Sequence, residues 1–280
     1  MAMATAAMRP LELQAKELVK SFGEQPVIRK ISLDIARGEM VCVVGGSGSG
    51  KTVLMHMLAG LLATDAGRVW AADHSLPSAP LVDLATLDSD AIDRVRLHWA
   101  VVFQKNALFS GTVFDNIALL LREHHAMARP MDPPIDDDLV REKASMALTA
   151  VALNAADVID KDRDALSGGM AKRVAIARAI AIDPALIFYD EPTTGLDPVI
   201  SGHIHELIFS THHAARSSGT ARTSLIVTHD KELLRRLQPR VLMLHEGEIA
   251  FDGPYSAFQS QPTGPAHDYL QAMPVLHARR

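Results

Sequence analysis

Apolar residues fall along this chain in two kinds of stretch that alternate. Residues 40–44, 100–103 and 185–189 are apolar throughout, and residues 224–228 set Leu225, Ile226 and Val227 between Ser224 and Thr228. Such short runs, rich in β-branched residues, read as strands buried on both faces, as in a parallel sheet. Residues 52–62, 88–97 and 168–182, and the longer segment 114–156, repeat their apolar positions at helical spacing instead. The longer segment is interrupted by Pro130, Pro133 and Pro134. Residues 11–20 and 27–35 read as two strands joined by a turn containing Gly23 and Pro26, and residues 67–70 resume a strand. The expected fold is therefore α/β: a mostly parallel sheet covered on both faces, an antiparallel β lead-in and a helical lobe in the middle of the chain. Residues 75–85 mix Pro, Ser and Leu without a readable period.

Chemistry gathers at the strand ends. Gly45, Gly46, Ser47, Gly48, Ser49, Gly50, Lys51 and Thr52 follow the first apolar run and open a helix, which is the P-loop pattern in its required context. Glycines let successive N–H groups curl around an anion at a helix N-terminus, where free donors and the macrodipole both favour negative charge. Lys51 adds a mobile cation for the β- and γ-phosphates of a nucleotide, and the Thr52 hydroxyl suits Mg2+. Asp190 ends another apolar run, and its carboxylate suits Mg2+ held through water. Glu191 is adjacent and points elsewhere, which fits a group that orients or deprotonates an attacking water.

Composition narrows the class. At 280 residues the chain buries a sizeable core as one large domain or two lobes. No apolar run reaches 18 residues, so no span is expected. Residues 1–8 are apolar but short, lack a preceding basic region and run into Arg9 and Pro10, so a secretory signal is not expected and cytoplasmic residence is. A net charge of −5 offers no footprint for nucleic acid. The single cysteine, Cys42, lies in the strand before the glycines and reads as packed core. His203, His205, His212 and His213 lack a completing Cys or carboxylate and read as a solvated helix face. Lys172, Arg173 and Arg178 are expected at an interface or in solvent, and residues 136–138 to start a helix.

Residues 45–52, Gln104, residues 166–170, 186–191 and 195–198, and His229 resemble, in order and spacing, the nucleotide-binding subunit of ABC transporters over nearly the whole chain. The stretch 166–170 is similar to that family's signature, and Phe22, 23 residues before Gly45, is placed like the aromatic that stacks on adenine. The resemblance implies Mg2+-dependent ATP hydrolysis by a P-loop, RecA-like ABC ATPase. Its expected parts are a RecA-like lobe over residues 8–111 and 167–253, a helical lobe over 112–166 and a tail over 254–280. It implies a homodimer with two ATP molecules sandwiched between subunits. Ser167, Gly168 and Gly169 open a helix whose free N–H donors a second subunit's nucleotide would use. By the same resemblance His229 contacts the γ-phosphate, Asp197 links the two sites, and Gln104 senses Mg2+ or water and couples to the membrane partner.

Residues 102–104, 107–109, 113–118 and 121–124 resemble the ATPase of bacterial lipid transporters that work with MCE-domain proteins, and Met170, where Gln is usual, points the same way. This implies phospholipid as cargo and peripheral attachment to the inner membrane. The implied partners are an integral membrane permease, an MCE-domain protein and, in some complexes, a STAS-domain protein. The alternatives are the ATPase of a polar amino-acid importer and a non-transport ABC ATPase; the second is expected to carry fused cassettes or a long coiled-coil insertion. Gly46, where Pro is frequent, and Val53, where a hydroxyl is frequent, remove no ligand. Residues 266–273 carry weak helical signals, and the last few residues are expected to fray.

Overall fold

A computed structural model describes residues 9–105 and 107–273. The chain opens with a hairpin of two long strands, β1 (Leu11–Phe22) and β2 (Gln25–Ala36), and continues into β3 (Met40–Gly45), the glycine loop and α1 (Lys51–Leu58). β4 (Ala66–Ala72), β5 (Leu81–Asp83), α2 (Ser89–Arg96) and β6 (Trp99–Val102) follow. Then come α3 (Val113–Ala128), α4 (Asp137–Ala150), α5 (Ala155–Val158), α6 (Gly168–Ile180) and β7 (Leu186–Asp190). The remaining elements are α7 (Pro198–His213), β8 (Thr223–Val227), α8 (Lys231–Leu237), β9 (Arg240–His245), β10 (Glu248–Pro254), α9 (Tyr255–Gln259) and α10 (Pro265–Ala272).

Six strands form the central sheet in the order β10-β9-β3-β8-β7-β6, and only the β10 edge pairs antiparallel. The register sets Cys42 opposite Ile226 and Asp190 opposite Val227, so β3 and β7 deliver their C-terminal ends to the same edge of the sheet. Period-2 alternation divides the continuous apolar runs between two cores. Cys42, Val44, Ile187, Tyr189 and Ile226 face the helices, whereas Val41, Val43, Phe188, Leu225 and Val227 face α1 and the hairpin. The second sheet, ordered β2-β1-β4-β5 and antiparallel throughout, is the expected lead-in.

The helical lobe lies between β6 and β7. Thr112 and Asp115 form a capping box at α3, and Asp136 caps α4 by accepting from the Asp138 and Leu139 amides. Val113, Ile117, Val140, Ala144 and Leu148 bury one face of these helices against α6. The two chain crossings at the base of the lobe are tied together: Val113 N donates to Lys161 O at 2.9 Å and Arg163 N donates to Gly111 O at 3.1 Å.

Several elements depart from the sequence reading. α1 stops at Leu58, two residues short of Gly60, rather than running to residue 62. The unassigned connection holds β5 and a turn of 3-10 helix, Leu84–Thr86, and Arg37 fastens it by donating to the Ser78 carbonyl at 3.2 Å and to that of Ala79. β9 and β10 extend the expected sheet: residues 241–244 give β9 a buried apolar run like those of the other core strands, whereas β10 is half-exposed and carries Glu248 and Asp252. α10 forms where weak signals stood, buries Ala266 and Leu270, and accepts at Leu270 O a hydrogen bond from Lys231 Nζ at 3.1 Å. The readings for residues 1–8 and for the final residues lie outside the described residues.

Candidate active site

The glycine loop owes its shape to close packing. Gly45 has φ +149°, and a Cβ there would lie 2.3 Å from Leu244 O. Gly50, at φ +95°, precedes α1 without any side-chain cap, so the first-turn amides of that helix have no side-chain acceptor. At Gly46 and Gly48 a Cβ would meet nothing within 4 Å, so the loop opens on that side. Lys51 Nζ closes the loop by donating to the carbonyls of Gly45 and Gly46, each at 2.9 Å. Ser49 Oγ is buried without a partner. Free amides, a mobile cation and an orphaned hydroxyl around an open cradle match the demands of a polyphosphate.

Thr52 Oγ1 donates to Asp190 Oδ1 at 3.2 Å, which joins α1 to the end of β7. Burial raises the Asp190 carboxyl above its usual range, against the opposing pull of Thr52 and His56. Two hard oxygens this close, one of them a carboxylate short of positive charge, fit Mg2+. Burial lowers Lys51, and the nearby Glu191 and Asp190 carboxylates work to raise it.

Glu191 leaves the sheet abruptly. Its amide still donates to Val227 O at 2.9 Å, but its φ of +47° is left-handed, a conformation that costs a non-glycine residue on the order of 1–3 kcal/mol. The turn brings Glu191 Oε2 within 2.7 Å of His229 Nδ1, and Thr194 Oγ1 donates to the same oxygen at 3.2 Å. A half-exposed imidazole against a shielded carboxylate can take up or steer a proton from water.

The structure therefore brings together Lys51, Thr52, Asp190, Glu191 and His229. Other anticipated positions stand apart. Phe22 ends β1, is 52 % exposed, and carries the Lys20 ammonium 5.7 Å above its ring. Gln104 follows β6 and is exposed, and its carbonyl accepts from Lys172 Nζ at 2.9 Å. Ser167 caps α6 by accepting from Met170 N, and no hydrogen bond among the described residues joins Ser167, Gly168 or Gly169 to residues 45–52. Asp197 caps α7 through the Val199 and Ile200 amides, each at 3.0 Å.

Two readings require correction. Lys172 is neither at an interface nor in solvent: it is buried, and its ammonium also donates to Phe103 O at 3.1 Å. His205 does not belong to a solvated face: it is fully buried with Nε2 2.8 Å from Asp230 Oδ2. Ser201, Ile204, His205, Ile208 and Thr211 share its buried side of α7, and that helical spacing was the available signal. His212, also half-shielded, has its pKa pushed down to about 4 by burial and by His213. Cys42 is buried as expected, and burial pushes its thiol up.

A glycine cradle at a helix start, facing an Asp-Glu pair at the end of a neighbouring parallel strand, defines a P-loop nucleotide hydrolase. The family described as ABC transporter matches residues 28–194. The chain is 32% identical over 252 residues to the intermembrane phospholipid transport system ATP-binding protein MlaF of Escherichia coli, covering 90% of this chain and 85% of that one. It is 34% identical to protein trigalactosyldiacylglycerol 3 of Arabidopsis thaliana (86% and 68% covered) and 31% identical to the histidine transport ATP-binding protein HisP of Pseudomonas aeruginosa (86% and 90% covered). A solved ATP-binding cassette, dimeric in a post-hydrolysis state with ADP and Pi bound, superposes with a TM-score of 0.72 at 26% identity, over 87% of this chain and 98% of that one. The chain belongs to the ABC transporter family, as a subunit that hydrolyses ATP with Mg2+.

Proposed function

We propose that this ATPase powers phospholipid transport between membranes, as one of two identical subunits beneath an integral membrane permease at the inner membrane, with an MCE-domain partner and, in some assemblies, a STAS-domain protein. The observation that carries the reading is the likeness to MlaF along 90% of the chain; Gln104 marks the surface where the permease docks. There the surface is an apolar cavity of about 390 Å3 lined by Phe103, Phe109, Leu119 and Leu120. It suits a permease helix. No helix among the described residues is long and apolar enough to cross a membrane, so the lipid path needs other subunits.

Within the site, Lys51 and the loop amides hold the phosphates, and Thr52 and Asp190 hold Mg2+, which when bound supplies positive charge against the phosphate oxygens. Glu191 activates water, His229 contacts the γ-phosphate, Phe22 stacks on adenine, Asp197 links the two sites, and Gln104 reports on the site to the permease. The RecA-like lobe spans 8–111 and 167–253 and the helical lobe 112–166. The likeness to HisP supports a second reading, import of a polar amino acid.

Purification of the complex from membranes, with mass spectrometry of its subunits and bound small molecules, tests the choice. Bound phospholipid and a co-purifying MCE-domain protein are expected. A periplasmic amino-acid-binding protein, with turnover stimulated by its amino acid, would replace the lipid reading.

A further inference from the structure

Behind the Glu191–His229 contact lies a buried polar cluster centred on Asp230. His205 Nε2 on α7 is 2.8 Å from Asp230 Oδ2, and Thr193 Oγ1 donates to that same oxygen at 3.0 Å. Asp230 Oδ1 accepts the Glu232 amide at 3.0 Å and the Leu233 amide at 3.2 Å, which caps α8. The Asp230 amide in turn donates to Thr228 Oγ1 at 3.0 Å. Three pieces of the chain thus meet on one carboxylate: α7, the loop after β7, and the start of α8. Both flanks of the cluster belong to the active site. His229 directly precedes Asp230, and Thr193 directly precedes Thr194, whose hydroxyl holds Glu191.

Burial dictates who donates. Asp230 is 1% exposed; desolvation alone would raise its carboxyl, but the hydrogen bonds from His205, the Leu233 amide and Thr193 hold it below the usual carboxylate range. An ionised carboxylate only accepts, so His205 Nε2 carries a hydrogen and aims it at Oδ2. The other ring nitrogen, Nδ1, is buried with no partner. Packing alone would favour an aliphatic side chain here, since His205 shares the buried side of α7 with Ile204 and Ile208 and an aliphatic group leaves no orphaned nitrogen. What the imidazole adds is direction: one donor, fixed by a buried helix, on one carboxylate oxygen.

We propose that His205 is a positioning residue for ATP hydrolysis, clamping Asp230 between α7 and the loop after β7 and thereby setting where His229 meets Glu191. The proposal rests on the assignment of Glu191 and His229 to hydrolysis made above. Displacing a catalytic group by about 1 Å can cost as much as a hundredfold in rate, so a clamp one residue away from His229 has leverage.

Two polar substitutions in the full chain, assembled in its transporter complex, test this. His205→Gln carries an amide nitrogen near the place of Nε2, and His205→Asn carries one near the place of Nδ1, short of Asp230. His205→Gln is expected within about twofold of wild-type kcat, and His205→Asn about tenfold lower, with the KM for ATP moved by less than about twofold in both. In a His229→Ala background, followed by single-turnover hydrolysis, the difference between the two substitutions is expected to vanish. Wild-type kcat in His205→Asn beside an impaired His229→Ala would overturn the clamp alone, as would a Gln–Asn difference that persists without His229. Normal turnover by His229→Ala itself would instead overturn the assignment on which the clamp rests. If His205→Asn fails to fold, Thr193→Val removes the second donor to Oδ2 and is expected to lower kcat about threefold, and an unchanged kcat there refutes the clamp.

Discussion

At the residue scale the group proposed to decide nucleotide affinity is Lys51. Its ammonium spends two hydrogen bonds on the Gly45 and Gly46 carbonyls, and burial lowers it despite the nearby Glu191 and Asp190 carboxylates. A cation held over an open cradle by carbonyls alone can exchange those partners for phosphate oxygens, which carry full charge. Lys51→Ala removes it while leaving the loop backbone and the Asp190–Thr52 contact in place. A charge-assisted hydrogen bond contributes about 1.5–3 kcal/mol, so ATP affinity is expected to fall roughly tenfold to a hundredfold. Calorimetric titration checks it, and unchanged affinity would remove Lys51 from the phosphate site. Glu191 illustrates the opposite relation between residue and fold: its left-handed φ of +47° is tolerated because the Val227 carbonyl, Thr194 and His229 all hold it there.

At the element scale Lys172 ties α6, the helix that Ser167 caps, to the segment after β6 through the carbonyls of Phe103 and Gln104. Burial pulls its pKa from 10.5 to about 8, so the ammonium is about 3 kcal/mol less favourable inside than in the unfolded chain. Lys172→Met removes the two hydrogen bonds together with the buried charge, and is therefore expected to change stability at pH 7 by less than about 1 kcal/mol. What it should lose is order: hydrogen exchange over residues 99–105 is expected to rise, and unaltered exchange would deny the tie. The pH dependence has a definite sign. Between about 8 and 10.5 the unfolded chain holds a proton at Lys172 that the folded chain has released, so the wild type gains stability relative to Lys172→Met as pH rises through that window. Urea midpoints for both proteins at the two ends measure it. Lys172 was not legible in the sequence, because a polar residue on a helix reads as solvated until the helix's neighbours are known, and His205 was legible only through its helical spacing with Ile204 and Ile208. The strands β3, β6, β7 and β8 were legible, since burial on both faces gives each a run of consecutive apolar residues, and the glycine loop, Asp190 and Glu191 came with them. β10 was not, because an edge strand with alternating exposed positions resembles a loop.

At the scale of the whole molecule the anion-binding groups are divided. Lys51, Thr52, Asp190, Glu191 and His229 converge, while Ser167, Gly168 and Gly169 make no hydrogen bond to residues 45–52 among the described residues. One chain therefore presents a polyphosphate cradle in one place and a helix start with free donors in another. In the proposed head-to-tail pair, two chains would place each helix start over the other's cradle, with ATP charge between them, and hydrolysis would then weaken the contact. Glu191→Gln keeps the shape of the side chain and removes its basicity, so with Mg2+ and ATP the variant is expected to bind nucleotide, fail to turn over and accumulate as a species of twice the single-chain mass in light scattering. Adding Ser167→Arg to that variant sets a bulky side chain where the partner's nucleotide would lie. The double variant is expected to return to single-chain mass while its own cradle still binds ATP within about threefold of the parent affinity, because Ser167 makes no hydrogen bond to that cradle among the described residues. A doubled mass that survives Ser167→Arg would mean that the two chains associate through some other surface and that each active site is complete within one chain.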